Sequence, residues 1–172
     1  GIRLTDSNAE GYYIHFNPNQ TVDIYRVTGQ KTCQRQTCVW FFGWWCWWSN
    51  YLGKSTYSVD TTESFTYKGE SSVGLAMPDN GLIFVEDEVW LDGQINNSRV
   101  TVIAAEEPLA SGLSNIIINN DLLYTNYDGT DAIGLIAQNN IYIGFYSEDD
   151  LRIDAALIAQ KGRVTRPYYT NS

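Results

Sequence analysis

One short pattern constrains this chain more than any other. Phe84-Val-Glu-Asp-Glu-Val-Trp-Leu91 aligns without a gap against Ile136-Ala-Gln-Asn-Asn-Ile-Tyr-Ile143. Ile117-Ile-Asn-Asn-Asp-Leu-Leu-Tyr124 aligns against both, and partial copies start at Ile103 and Ile158. Each full copy is two short apolar runs around a polar Asn, Asp or Glu corner. Asn is suited to such corners because it tolerates the left-handed backbone. A unit this small cannot bury its own apolar face and must stack on its neighbours. The expected fold is therefore all-β, with right-handed β-solenoid (parallel β-helix-like) rungs over residues 82–166. An ordinary sandwich with turns at similar spacing is the alternative. Ile103, Ile117, Ile136, Ile141 and Ile158 are expected in the core.

Residues 1–81 read as a strand and hairpin region of the same single domain, 1–172. Tyr12, Ile14 and Phe16 alternate with Tyr13 and His15, and Asn17-Pro18-Asn19 is a turn signal before Val22 and Ile24. Aromatic residues make up 14% of the chain, which favours strands.

The insert at residues 33–50 breaks this grammar. Trp40, Phe41, Phe42, Trp44, Trp45, Trp47 and Trp48 crowd one stretch. Period-two alternation cannot hide them, because both strand faces are then aromatic. The segment is either a lid covered on both sides or a contact surface. All three cysteines sit here. Cys33 and Cys38, opposite each other across a turn at Gln34–Thr37, are the expected disulfide; Cys38 with Cys46 is the rival pairing. A disulfide fits an oxidising compartment.

Eleven Lys plus Arg against 20 Asp plus Glu leave a net charge of −9. That argues against a nucleic-acid partner, which calls for a basic face. His15, the only histidine, lacks a nucleophile motif beside it and reads as a strand-face residue. No phosphate-loop spacing occurs. The runs Glu86-Asp87-Glu88 and Glu148-Asp149-Asp150 read as solvated corners, since glycosidic chemistry needs two carboxyls held across a cleft. The chain is thus expected to be non-enzymatic and to need no cofactor. Calcium is the one exception considered: Asn126, Asp128 and Asp131 place oxygens around Gly129, like the front of a calcium loop without its closing Glu.

The segments Gly81–Ile95, Val100–Ala105, Gly134–Ile143 and Ala155–Arg163 resemble the β-rich secreted region of PilX-type, type IV pilus assembly (pilin-like) bacterial surface proteins. Val22–Val27 is similar to a strand preceding the repeats in that family. The resemblance implies a structural or adhesive module at the bacterial cell surface or outside the cell. Its implied partners are other pilus or surface-protein subunits, and a host-cell or glycan surface. The family also implies an amino-terminal membrane helix. This chain contains none, so membrane attachment is expected only through an anchor outside it. The competing expectation is a carbohydrate-binding or carbohydrate-active solenoid, from the abundance of Trp and Tyr.

Overall fold

The computed structural model describes residues 1–31, 34–40, 42–50 and 58–167. The described residues are all-β, without helix. Two sheets dominate. The first is built from β1 (Ile2–Leu4), and from strands at Leu82–Val85, Arg99–Ala104, Ala132–Ala137 and Ala156–Ala159. In chain order these are β10, β12, β15 and β17. They lie side by side in the order β1-β10-β12-β15-β17, and every pair is parallel.

The second sheet uses β2 (Tyr12–Asn17), β3 (Thr21–Lys31), β6 (Ser58–Glu63), β11 (Val89–Ile95), β13 (Ile116–Ile118), β16 (Ile141–Ile143) and β18 (Val164–Thr165). Its order is β18-β16-β13-β11-β2-β3-β6, parallel up to β2 and antiparallel beyond it. β14 (Leu122–Tyr124) also pairs with β11, and β9 (Leu75–Ala76) with β3. Small hairpins are formed by β4 (Gln34–Trp40) with β5 (Trp44–Asn50), and by β7 (Thr66–Tyr67) with β8 (Glu70–Ser71). From β10 onward the chain alternates between the two large sheets, except that β13 and β14 both join the second.

The repeat appears directly in the pairing. Phe84, Ile103, Ile136 and Ile158 stand beside one another in register, as do Val89, Ile116 and Ile141. The segment at 117 does not belong to that register: Ile117 stands beside Trp90 and Tyr142, in the other sheet. Three consecutive isoleucines, 116–118, match an apolar template in more than one frame.

The parallel array also begins earlier than the repeats. β1 pairs with β10 and β2 with β11, so residues 2–17 extend it. Residues between β2 and β10 form an excursion, opening with the expected hairpin: β2 and β3 pair from Tyr12↔Arg26 to Asn17↔Thr21. Its turn ends on Gln20 at φ 63.

One core lies between the facing sheets. Ile83, Val85, Val102, Ala104, Leu135 and Ala137 enter from the first sheet; Ile14, Phe16, Leu91, Ile116 and Ile141 enter from the second. The core differs from the expected one. Ile117 and Ile141 are fully buried, but Ile103 and Ile136 are only partly covered and Ile158 is 51% exposed. Their neighbours Val102, Leu135 and Leu157 point inward instead, and a one-residue slip turns a whole strand over. Ile117 is buried on the outer side of the second sheet, in a separate cluster with Val27 and Trp90.

The polar corners work through hydrogen bonding more than through left-handed backbone. Asn115 Oδ1 accepts from the Asn140 N–H at 3.1 Å and from Asn139 Nδ2 at 3.1 Å, while its Nδ2 donates to Glu88. None of the corners at 86–88, 119–121 and 138–140 adopts positive φ; Asn97, in the turn between β11 and β12, does, at 47°. Gly93 lies at φ 105 where a Cβ would meet the Phe16 carbonyl oxygen at 2.3 Å, so a side chain there would break the β2–β11 approach.

Candidate functional site

β4 follows β3 in the chain and pairs with β5 from Gln34↔Asn50 to Trp40↔Trp44. Among the described residues, neither strand pairs with another. Phe42 at φ 50 and Gly43 at φ 137 carry the chain round the tip; Gly43 supplies a backbone that a side chain would oppose. Residues directly opposite one another share a face. One face therefore holds Trp40, Trp44, Cys38, Cys46 and Trp48, and the other Val39, Trp45 and Trp47.

Both faces are exposed. Trp40 is 69% exposed, Trp44 73%, Trp45 66%, Trp47 50% and Trp48 64%, and Phe42 at the tip reaches 93%. Phe41 lies outside the described residues. Large apolar side chains crowded at this exposure are unlike the scattered ones of an ordinary surface. The described parts of the hairpin do not form a covered lid.

The disulfide is Cys38–Cys46, with Cα atoms 4.2 Å apart. This corrects the expected Cys33–Cys38 pair; Cys33 lies outside the described residues. The expected turn at Gln34–Thr37 is strand, so Cys38 faces Cys46 directly across the hairpin. The bond staples the hairpin near its middle. Such bonds persist in oxidising compartments. No helix among the described residues is long and apolar enough to cross a membrane.

A polar centre without a sequence signal lies on the second sheet. His15 on β2 stands beside Asp92 on β11, on the outward side of the second sheet. Asp92 is buried and accepts from Tyr13 Oη at 2.9 and 3.0 Å and from Asn120 Nδ2 at 2.6 Å; His15 Nδ1 lies 2.6 Å from it. Hydrogen bonding to Asp92 raises the His15 pKa, opposed by partial burial. Burial, followed by the Asp92 charge, pushes the Tyr13 phenol up. Beside this centre opens a cleft of about 540 Å³, lined by Tyr13, Lys31, Asp60, Asp92, Asn119 and Tyr146 among others. Alternation alone placed His15 on a strand face; its partner lies 77 residues away and carried no local signal.

The first acidic run is tied into the scaffold, whereas Glu148, Asp149 and Asp150 are exposed, as expected of a solvated corner. Glu86 is bonded to Arg3, Asp87 accepts from the Ser7 N–H at 3.0 Å, and Glu88 accepts from Asn115. In the candidate calcium loop, Asp131 is buried and accepts from the Ser98 N–H at 3.0 Å and the Asn126 N–H at 2.7 Å. Asp128 accepts from the Thr130 N–H and hydroxyl, which hold its pKa below the usual carboxylate value. Asn126 donates its side-chain amide to Asn96 and Asp131. These three residues therefore serve hydrogen bonding within the loop and to the neighbouring turn at Asn96 and Ser98. Comparison with family profiles, with curated proteins and with solved structures gave no match.

Proposed function

We propose that this chain is a non-enzymatic structural or adhesive extracellular module that makes contact through its Trp-rich hairpin. The observation that carries the reading is the two-faced exposure of Trp40, Trp44, Trp45, Trp47 and Trp48 on a disulfide-stapled hairpin. Trp is the residue most enriched where surfaces bind. The parallel sheets are read as a right-handed β-solenoid, a stiff stalk that presents the hairpin. In-register stacking of Phe84, Ile103, Ile136 and Ile158 supports that reading. The setting implied by the pilin-like resemblance is a type IV pilus-like system at the bacterial surface.

The test compares labelled wild type with a Trp44→Ser/Trp47→Ser variant for attachment to bacterial and host cells. Circular dichroism serves as the fold control. The variant is expected to keep its spectrum and lose attachment. Equal attachment refutes the reading.

The cleft beside Asp92 favours a second reading, a carbohydrate-binding solenoid. Tyr13 and Tyr146 beside Asn119, Asp60 and Lys31 supply ring faces with polar groups, the mixture that sugars require. A glycan-array signal lost in Tyr146→Ala but kept in the hairpin variant would favour it. Calcium at Asn126, Asp128 and Asp131 stays within the proposal. Equal calorimetric heats of calcium binding in wild type and Asp128→Ala would place any site elsewhere.

A further inference from the structure

We propose that the hairpin tip seats in the interfacial layer of a lipid bilayer, at the boundary between headgroups and acyl chains, and that zwitterionic lipid suffices. The inference rests on the reading of the hairpin as a contact element and names its partner.

Four observations point to lipid. The first is two-sidedness. A groove on a protein covers one face of a two-stranded ribbon, leaving the other in water. Here Trp40, Trp44 and Trp48 are exposed on one face, and Val39, Trp45 and Trp47 on the other, with Phe42 at the apex. A bilayer surrounds an inserted tip and covers both faces at once.

The second is charge. Residues 39–48 contain no Asp, Glu, Lys or Arg, whereas the whole chain carries −9. Apolar burial must therefore supply the affinity, and anionic headgroups would oppose the body of the protein.

The third is the residue type. Trp combines a large apolar ring with an N–H that seeks an acceptor, and it concentrates where hydrocarbon meets headgroup. Five of the six Trp in the chain lie in this one hairpin.

The fourth sets the depth. Among the described residues, β4 and β5 pair only with each other, so each has an outer edge of backbone groups without a sheet partner. Hydrocarbon does not tolerate such edges, but the hydrated interface does. Three residues on each side of the turn span about 10 Å. That matches the roughly 5–10 Å reach of interfacial segments. The Cys38–Cys46 bond holds the ribbon closed, so insertion does not have to order it.

The experiment floats the full chain with unilamellar phosphatidylcholine vesicles and records tryptophan emission. Wild type is expected to float and its emission to shift to the blue. Shallowly brominated lipids are expected to quench it more than deeply brominated ones. Two variants separate the faces, Trp40→Ser/Trp44→Ser and Trp45→Ser/Trp47→Ser, each checked for an unchanged circular-dichroism spectrum. Lipid insertion requires each to lose about tenfold or more in vesicle affinity. Absence of flotation, or loss confined to one face, overturns the proposal. If vesicles fail to bind while cell attachment still depends on the Trp residues, lipid is overturned and the contact reading stands. If cell attachment is also indifferent to these residues, the contact reading falls with it.

Discussion

Leu135 and Ile136 are adjacent on β15, and their contrast measures which way that strand faces. Leu135 is fully buried, between Val102 and Leu157 in the register of the first sheet. Leu135→Ala leaves a cavity enclosed by both sheets, and such substitutions cost about 3–5 kcal/mol. Ile136 lies on the outer side between Ile103 and Ile158, and is only partly covered. Ile136→Ala removes three carbons at about 0.8 kcal/mol each when fully buried, or roughly half that sum here. Water fills the space, so no cavity term is added. The loss of a β-branched side chain contributes several tenths more, for a total of about 1–2 kcal/mol. Urea denaturation of the two variants and the wild type gives both numbers. In a chain of this size each kcal/mol lowers Tm by about 2–4 °C, so heating distinguishes them as well. An Ile136→Ala cost equal to or above that of Leu135→Ala would refute the register of the first sheet.

Three further outcomes follow from the geometry. Peptide mapping without reduction should recover a Cys38–Cys46 cross-link; closing its loop of 8-residue separation stabilises the hairpin by about 2.5 kcal/mol on the chain-entropy account, and recovery of a Cys33–Cys38 peptide would reject the β4–β5 register. His15, as the only histidine, gives a single ring titration by NMR. Its folded pKa is raised above the ordinary value of about 6.5, so its stabilising contribution is complete below that pH and is lost as pH rises through the folded value. Asp92→Asn should lower the His15 midpoint and flatten that pH dependence; an unmoved midpoint would sever the pair. Asp131→Ala strips acceptors from the Ser98 and Asn126 N–H groups and should cost about 2–3 kcal/mol in urea unfolding; a neutral variant would show that the loop does not depend on them.

The residues alone determine the all-β class, the β2–β3 hairpin and the stacking of segments starting at 84, 103, 136 and 158. Each of these follows from local alternation or from recurrence of one pattern, and both are written along the chain. The aromatic cluster is legible for a related reason, since no strand period hides seven aromatic residues in nine positions from Trp40 to Trp48; whether it is a covered lid or a contact surface is not. The facing of the strands is not legible. Val102-Ile103, Leu135-Ile136 and Leu157-Ile158 each offer two apolar side chains in succession, and either member satisfies an inward position. Packing against the second sheet chose the first member, and it placed Ile116–Ile118 out of the apparent repeat. Residues 2–17 joined the parallel array through pairing with strands some seventy to eighty positions away. The disulfide followed the same rule at short range, since the register of β4 on β5 decided which sulfur Cys38 meets. His15 found Asp92 only because β2 and β11 lie side by side. Alternation is a property of one strand, whereas register, facing and polar partnership belong to pairs of strands and exist only once the sheets have formed.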